Sequence, residues 1–494
     1  MLTPEYYNYC ADDIVELYSK LDESITRDIA RRIVKSGHLT EGAKWQLAVE
    51  RESGLLYDDI IKKVAEYAET SESAVKSIFE DAGITSKSFD DEIYKSVGKK
   101  PVPLKTSRAM LQVLTAGIIK TNGLIENLTK TTALTSQTAF IQACALAEME
   151  ISSGAFDYNT AIRHAVDDAI SQGSTVEYAS GAKTSLEAAV RRAVMTGVSQ
   201  TTGEISLANA RELDTKLMEI TAHGGARPEH AAWQGKIVCI DGKMKGYLTL
   251  KDIGYGTATG FKGVNCRHDW FPFVEGVSTR AYTEKQLKSY RDRTVKYNGN
   301  EIPQYEAEQM QRKMERDMRS TRCKAAGYDE AAKAAQDNKL KEDLKTDFYD
   351  SAQKLKRQEK VYNDFCKQTG LPGQKERLQT KPFNRSISQK AVWSNRKASE
   401  YNALNSVETA NGIKVNEIGS HIRSRAIARN ESVEDIRNAL TKPLDIGKIR
   451  ADNSQQFIGE KVTIVINTKT GKLVTTWPTS SSRAKKLKER SNKR

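Results

Sequence analysis

Two stretches of the sequence decide the fold of its centre: AHGGARPEHAAWQGK at residues 222–236 and GYGTATGFKGVNCRHDWFPFVEG at residues 254–276. Three of the chain's six histidines and two of its five tryptophans lie in this window, among many glycines. Because glycine favours positions with positive φ, the window predicts short strands joined by tight loops. The aromatic side chains expected to fill its core are Trp233, Trp270, Phe271 and Phe273.

Helical patterns precede this window. Apolar residues recur at helical spacing over about residues 6–92 and again over residues 104–220. Residues 99–103, with two prolines, separate the two regions because proline leaves the chain extended and without backbone donors. The first region is therefore predicted to form a helical bundle, and the second to supply further helices.

Local signals subdivide the helical regions. Thr70 or Ser71 is typical of a helix N-cap, and Gly83 is typical of a helix end, so we expect a short separate helix between them. Residues 278–371 are polar and have a helical pattern, in which one face carries methionines and the other faces carry charged residues. Methionines recur there at four-residue steps, at Met310, Met314 and Met318. This segment is predicted to form a helical arm or hairpin.

Residues 381–494 have a different pattern. Ser432 is typical of an N-cap that opens a short helix, and Pro443 ends it. Residues 461–477 are rich in β-branched side chains around a turn that contains Gly471, which predicts a β-hairpin. The last part of the chain is therefore expected to form a small α+β module.

The predicted fold class is multidomain and mainly α, since 494 residues exceed the roughly 100–200 residues of one domain. Residues 1–100 form the helical bundle, and residues 104–277 form helices with a compact glycine-rich α+β cap. The helical arm spans residues 278–375, and the basic α+β module spans residues 381–494.

Composition identifies the general class of protein. With 38% hydrophobic residues, 29% charged residues and only 10 prolines, the chain matches a soluble, helix-rich protein. Its six cysteines are far apart and form no Cys-x-x-Cys pair, which argues against a disulfide framework and a zinc ribbon. The chain starts without signal-peptide features, and no apolar run approaches the roughly 20 residues that span a bilayer. We expect synthesis in a reducing cytoplasm and no membrane segment.

Positive charge is concentrated at one end. Residues 381–494 hold 23 Lys or Arg against 10 Asp or Glu, a surplus of 13 that equals the net charge of the whole chain. The first 380 residues are balanced at 54 against 54. Attraction to nucleic acid is therefore expected mainly from the last quarter of the chain.

The central histidines and cysteine allow two interpretations. His223, His230, Cys266 and His268 are residue types that bind a tetrahedral metal ion, but their spacing lacks the two tight pairs of a zinc finger. We favour histidines bonded to the backbone within a polar core, and expect no cofactor. A Cys–His protease centred on Cys266 is a further alternative, although no orienting residue can be located.

The central motifs resemble the phage minor capsid protein 2 family, head proteins of tailed phages related to the head protein F of phage Mu. Residues 178–181 ahead of Arg191-Arg192, and Gln311-Arg312 in the arm, extend the resemblance over about residues 1–375. It implies a head component near the portal, with portal and major capsid proteins as partners, that acts in assembly or DNA ejection. Related head proteins often have Cys-x-Cys where this chain has Cys266-Arg267-His268.

The last module carries a second resemblance, to metal-independent ribonuclease toxins grouped with barnase, EndoU, colicin-type nucleases and RelE. His421, as its single histidine, is the expected acid or base for RNA cleavage. Arg423 or Arg425 would hold the phosphate by paired hydrogen bonds. The hydroxyls expected to orient it are those of Thr475, Thr476 and Thr479. The resemblance implies an effector that is carried in the virion and delivered to the host cytoplasm.

The alternative is a purely structural head protein whose basic C-terminus contacts packaged DNA. In that case His421 caps a helix, the arginines lie on a solvated helix face and the threonines are ordinary strand residues. The hairpin predicted at residues 461–477 favours the nuclease, because contact with DNA needs positive charge but no folded β unit.

Overall fold

The computed structural model describes residues 1–36, 42–172, 175–373 and 385–491. The described chain is mainly α-helical with several small sheets, as predicted. None of its helices is both long enough and apolar enough to cross a bilayer. The helices before the glycine-rich window are α1 Pro4–Tyr9, α2 Asp12–Ser36, α3 Gly42–Ser96, α4 Arg108–Ser152, α5 Tyr158–Gln172 and α6 Leu186–Glu212.

Helix α3 continues through the boundaries predicted at Ser71 and Gly83, so that prediction is wrong. The Ser71 hydroxyl is buried and accepts a hydrogen bond from the Tyr18 hydroxyl at 3.2 Å, instead of capping a helix. Gly83 lies where α3 approaches α6, and an added Cβ there would lie 3.3 Å from Ile205 Cδ1. The glycine therefore serves close helix packing. The predicted break at residues 99–103 is confirmed.

One large apolar core joins regions that are distant in the sequence. Ile29 of α2, Phe140 of α4 and Val194 of α6 belong to the same buried cluster as Ala326 and Leu344, which lie in the predicted arm. The division of the first 375 residues into separate units stays a prediction. Strands β1 Thr175–Glu177 and β2 Lys183–Ser185 form a short hairpin that leads into α6.

The glycine-rich window forms the predicted short strands and loops. Its strands are β3 Leu217–Ile220, β4 Ile237–Cys239, β5 Leu248–Thr249 and β6 Trp270–Pro272, in the sheet order β5-β4-β3-β6. Strand β3 pairs antiparallel with both β4 and β6, and β4 pairs parallel with β5. The predicted aromatic core is confirmed, because the buried side chains include Trp233, Trp270, Phe271 and Phe273.

The region after the window begins with helix α7 Glu284–Arg291 and the hairpin of β7 Thr294–Tyr297 and β8 Asn300–Pro303. Helices α8 Gln304–Ala334 and α9 Asn338–Thr369 then form the predicted helical hairpin. It packs against the rest of the chain: α8 lies on α2 and α5. Gly370 ends α9 in the left-handed conformation, with φ of 70°.

The C-terminal module has its own core and a five-stranded sheet, ordered β10-β11-β12-β13-β9. All its strand pairs are antiparallel except β13 with β9. Its helices are α10 Arg385–Glu400, α11 Ser420–Ala428, α12 Val433–Thr441 and α13 Ser481–Ser491. Its strands are β9 Glu417–Ile418, β10 Asp445–Ile446, β11 Ser454–Ile458, β12 Val462–Asn467 and β13 Lys472–Pro478.

The local predictions for this module are confirmed. The Ser432 hydroxyl accepts the backbone N–H of Asp435 at the start of α12. Strands β12 and β13 form the hairpin expected around Gly471, which has φ of 66°. The predicted start of the module at Lys381 lies outside the described residues.

Candidate functional site

The predicted nuclease residues lie on two neighbouring elements. His421, Arg423 and Arg425 are on α11, while Thr475 and Thr476 are on β13, with Thr479 just after it. Helix α11 lies against both β13 and α9. The buried contact with α9 includes a hydrogen bond from Gln353 Nε2 to Ser424 Oγ at 3.1 Å. The candidate residues of α11 therefore lie where the module meets the helical body.

His421 lies beside Arg425 and beside Asp350, a carboxylate that the sequence did not indicate. Arg425 Nε donates to His421 Nε2 at 2.9 Å, and Asp350 Oδ2 of α9 lies 3.7 Å from His421 Nδ1. Because Nε2 accepts a hydrogen bond, the ring proton of a neutral His421 is on Nδ1, facing Asp350. The side chain is 52% exposed, so the imidazole is oriented and also reachable from solvent.

The arginines of α11 have different partners. Arg423 donates from Nη2 to Asn402 Oδ1 at 2.9 Å, away from His421. Burial and the neighbouring Arg357 lower the pKa of Arg423. Burial lowers the pKa of Arg425 as well, although its Nη2 lies 3.9 Å from Asp343 Oδ1.

Acidic residues of α9 face these cations. Arg429, at the end of α11, has its Nε 3.6 Å from Glu342 Oε2, and Asp343 and Asp350 face Arg425 and His421. Three carboxylates on one side of α9 thus lie beside the cationic side chains of α11. No local pattern of the sequence singles these carboxylates out, because they face the cations only through the packing of α11 on α9.

The threonine hydroxyls form a second group. Thr476 Oγ1 is buried and lies 2.7 Å from Glu431 Oε2, and Thr479 Oγ1 lies 2.8 Å from Thr463 Oγ1. Thr475 is half-buried opposite Val465 on β12. Within the described residues, no hydrogen bond joins these threonines to His421.

Glu431 is a titratable group that sequence reasoning missed. It is 6% exposed, and burial raises the pKa of its carboxyl to about 7, against the opposing hydrogen bond of Thr476 and the charge of Arg429. Its Oε1 has no hydrogen-bond partner within the described residues. The sequence gives no sign of this burial, because a glutamate just before an N-cap serine is ordinarily exposed.

The second candidate site lies in the glycine-rich window. His230 opens a short 3₁₀ turn, and Cys266 and His268 lie in the loop that leads into β6. Cys266 Sγ is 3.7 Å from His268 Nδ1 and 4.0 Å from His230 Nδ1, and all three residues are buried. The three ligand atoms lie within 4.8 Å of one another. The structure thus brings together three of the four predicted metal-ligand candidates.

The fourth candidate, His223, stacks on His268 with ring centroids 4.4 Å apart. Its Nδ1 lies 2.8 Å from the carbonyl oxygen of Gly224. Burial lowers the pKa of His223 to about 4 and that of His268 well below its usual value, so both rings are neutral near pH 7. Burial also raises the pKa of the Cys266 thiol.

The motifs that carry the first resemblance converge beside this cluster. Arg191 and Arg192 of α6, Arg267 of the loop and Arg312 of α8 line one cleft of about 170 Å³. Arg316 and Arg319 of α8 complete it. Carboxylates balance part of the charge, since Arg267 pairs with Glu308 at 2.6 Å.

Comparison with known proteins shows the family of the chain. The family described as phage minor capsid protein 2 matches residues 2–367, from the first helix almost to the end of α9. The chain belongs to this family. The chain is 28% identical over 295 residues to a structural protein of Lactococcus phage LL-H, covering 56% of this chain and 76% of that relative.

A structural protein of Lactococcus phage mv4 is 41% identical over 73 residues, 15% of this chain and half of that relative. No solved structure matches the chain. Family membership indicates a phage structural protein whose partners are other phage head proteins. Because the family match ends at residue 367, it gives no support to the nuclease-like interpretation of residues 381–494.

Proposed function

We propose that this minor capsid protein is a structural component of the head of a tailed phage, located at the portal vertex and acting in head assembly or DNA ejection. The observation that carries the proposal is the family match over residues 2–367, which are largely built on one packed helical core. Helix α3, with 55 residues, is about 80 Å long at 1.5 Å per residue. Such a body suits contacts with portal and major capsid proteins.

The C-terminal module supplies contact with packaged DNA. Helix α13 carries exposed cations on several faces, and these are Arg483, Lys485, Lys486, Lys488 and Arg490. Lys488 is partly neutralised by Glu460 at 2.6 Å. Charges of this kind bind the phosphate backbone without sequence preference and lose affinity as salt rises.

A second candidate function is RNA cleavage by the module, and the geometry at His421 favours it. His421 is half exposed and is oriented by Arg425 and Asp350, as a general acid or base requires. With its proton on Nδ1, His421 Nε2 can take the proton of a ribose 2′-hydroxyl once Arg425 turns to the phosphate. The carboxylates of α9 oppose this step, because they compete with RNA for Arg425 and Arg429.

Genetic complementation tests the structural role. A phage that lacks this protein is supplied with the full chain or with a chain truncated after residue 373. We expect filled heads with the full chain, and normal head numbers with reduced DNA retention or delivery with the truncated chain. Normal, infectious particles without any copy of the protein would contradict the proposal.

Purified full-length protein tests the two functions of the module. Fluorescent DNA and RNA are incubated in EDTA with the wild type, a His421→Ala variant and a variant with Lys485, Lys486 and Arg490 changed to Gln. DNA binding that weakens as salt rises, and that only the variant with three changed cations reduces, supports contact with packaged DNA. RNA cleavage that only His421→Ala abolishes supports the nuclease, and intact RNA in all three samples rejects it.

A further inference from the structure

We propose that His230, Cys266 and His268 bind one zinc ion in the glycine-rich window, with the fourth position filled by water from the adjoining cleft. The proposal is independent of the roles assigned to the C-terminal module. It concerns residues that come from two loops about 35 positions apart in the sequence. The ion would tie these loops together under the arginine-lined cleft.

The separations of the ligand atoms fit such an ion. With Zn–S near 2.3 Å and Zn–N near 2.0 Å, a tetrahedral ion places sulfur and nitrogen about 3.5 Å apart. Cys266 Sγ lies 3.7 Å from His268 Nδ1 and 4.0 Å from His230 Nδ1. The two sulfur–nitrogen separations are therefore within about 0.5 Å of those of a tetrahedral site, and all three ligand atoms lie within 4.8 Å of one another. One thiolate and two imidazoles are also the mixture of ligands that zinc accepts readily.

The Nε2 atoms of His230 and His268 each lie beside a hydrogen-bond acceptor, which is typical of histidines that bind a metal through Nδ1. His230 Nε2 lies 2.8 Å from the carbonyl oxygen of Thr259, and His268 Nε2 lies 3.2 Å from Gln234 Oε1. Each oxygen accepts a hydrogen bond, so the ring proton is on Nε2 and the Nδ1 lone pair faces Cys266. Both rings are therefore in the tautomer that coordinates a metal through Nδ1.

The loop around Cys266 is tightly turned. Lys262 and Asn265 have φ of 60° and 58°, so both residues on the N-terminal side of Cys266 are in the left-handed conformation. Burial raises the pKa of the Cys266 thiol, and the backbone N–H groups of His268 and Lys262 oppose only part of that effect. The bound zinc ion itself would remove the proton, because a thiol that coordinates zinc binds as the thiolate.

The fourth position opens to a cleft of about 120 Å³ lined by His223, His230 and His268. His223 Nε2 is buried and has no hydrogen-bond partner within the described residues. Because His223 Nδ1 is bonded to the Gly224 carbonyl, its Nε2 carries a free lone pair. This nitrogen accepts a hydrogen bond from the zinc-bound water, which explains a buried polar atom that otherwise lacks a partner.

The surrounding charge tolerates the ion. Lys262 is neutralised by Asp269 at 2.5 Å, and Arg267 is paired with Glu308 at 2.6 Å. Arg227 donates to the Val264 carbonyl at 2.6 Å and keeps its charge. The thiolate supplies one negative charge at the ion, so the site carries a modest positive charge.

Metal analysis of the full-length protein without a histidine tag tests the proposal. After growth with added zinc, we expect about one zinc per chain by plasma mass spectrometry, falling below about 0.2 in Cys266→Ser and His268→Ala. Cys366→Ser and His164→Ala are matched controls outside the site and should keep the metal. Wild-type zinc below about 0.1 per chain, or zinc that survives both site substitutions, would overturn the proposal.

A measurement on the wild type covers the case in which the site variants fail to fold. X-ray absorption at the zinc edge should show one sulfur near 2.3 Å and nitrogen or oxygen neighbours near 2.0 Å. A coordination shell without sulfur would exclude Cys266 and with it the proposed site. Removal of the metal by a chelator should also lower the thermal midpoint, since the ion binds only the folded chain.

Discussion

Replacement of Glu431 by Gln should stabilise the C-terminal module above neutral pH and leave it unchanged in acid. Burial raises the pKa of this carboxyl from 4.5 to about 7, so the folded module resists its ionisation. The loss of stability caused by ionising this buried carboxyl is absent below pH 4.5, grows as pH rises from 4.5 to 7, and is constant above pH 7. This difference in pKa between the unfolded and the folded chain corresponds to a loss of at most about 3 kcal/mol in the free energy of unfolding.

The Glu431→Gln variant keeps the hydrogen bond from Thr476, because an amide oxygen accepts it as a carboxylate does. Hydrogen–deuterium exchange of peptides from β12 and β13 in the full-length chain measures the local free energy of opening at pH 5 and pH 8. We expect the variant to exceed the wild type by about 1–3 kcal/mol at pH 8 and by much less at pH 5.

A matched control is Glu434→Gln, which changes an exposed carboxylate three residues away in α12. This variant should follow the wild type at both pH values. A Glu431→Gln protein with the same advantage at pH 5 and pH 8, or with lower stability at pH 8, would refute the assignment of a buried, ionisation-resistant carboxyl.

Two further predictions concern helix contacts. Changing Asp343 and Asp350 to Asn should release Arg425 and His421 from α9. The affinity of the full chain for RNA and DNA, measured by fluorescence anisotropy at low salt, should then rise about 3- to 10-fold. Asp364→Asn near the end of α9 should leave the affinity unchanged, and equal affinities for all variants would contradict competition between these carboxylates and nucleic acid. Gly117→Ala should destabilise the helical body by about 1–3 kcal/mol in thermal unfolding, because its Cβ would lie 2.0 Å from Thr201 Oγ1. Gly123→Ala in the same helix meets nothing within 4 Å and should be neutral or stabilising, and similar losses for both glycines would show that packing against α6 is not the cause.

Features set by neighbouring residues were predictable from the sequence. The N-cap at Ser432, the hairpin around Gly471 and the break at residues 99–103 depend on local backbone preferences, and all three are confirmed. The strands and buried aromatic side chains of the glycine-rich window followed from the same kind of signal. Gly83 shows the limit of such local signals. Glycine ends helix α9 at Gly370, but within α3 Gly83 permits close packing on α6.

Features set by distant contacts were not predictable. Thr475 and Thr476 are adjacent in sequence, but consecutive residues of a strand point to opposite faces, so only one of them reaches Glu431. The carboxylates of α9 face His421 and Arg425 because α11 packs on that helix, which no local pattern indicates. The meeting of His230 with Cys266 likewise depends on how two loops close over β6.

The proposed place of the protein in the phage head is the portal vertex. Virions that carry an epitope in the exposed β7–β8 turn of the protein, at residues 298–299, can be opened gently and labelled with gold-conjugated antibody. We expect label at a single vertex, the one that bears the tail, together with chemical cross-links between this protein and the portal. Label spread evenly over all vertices, or its absence from purified virions, would rule out a place at the portal vertex.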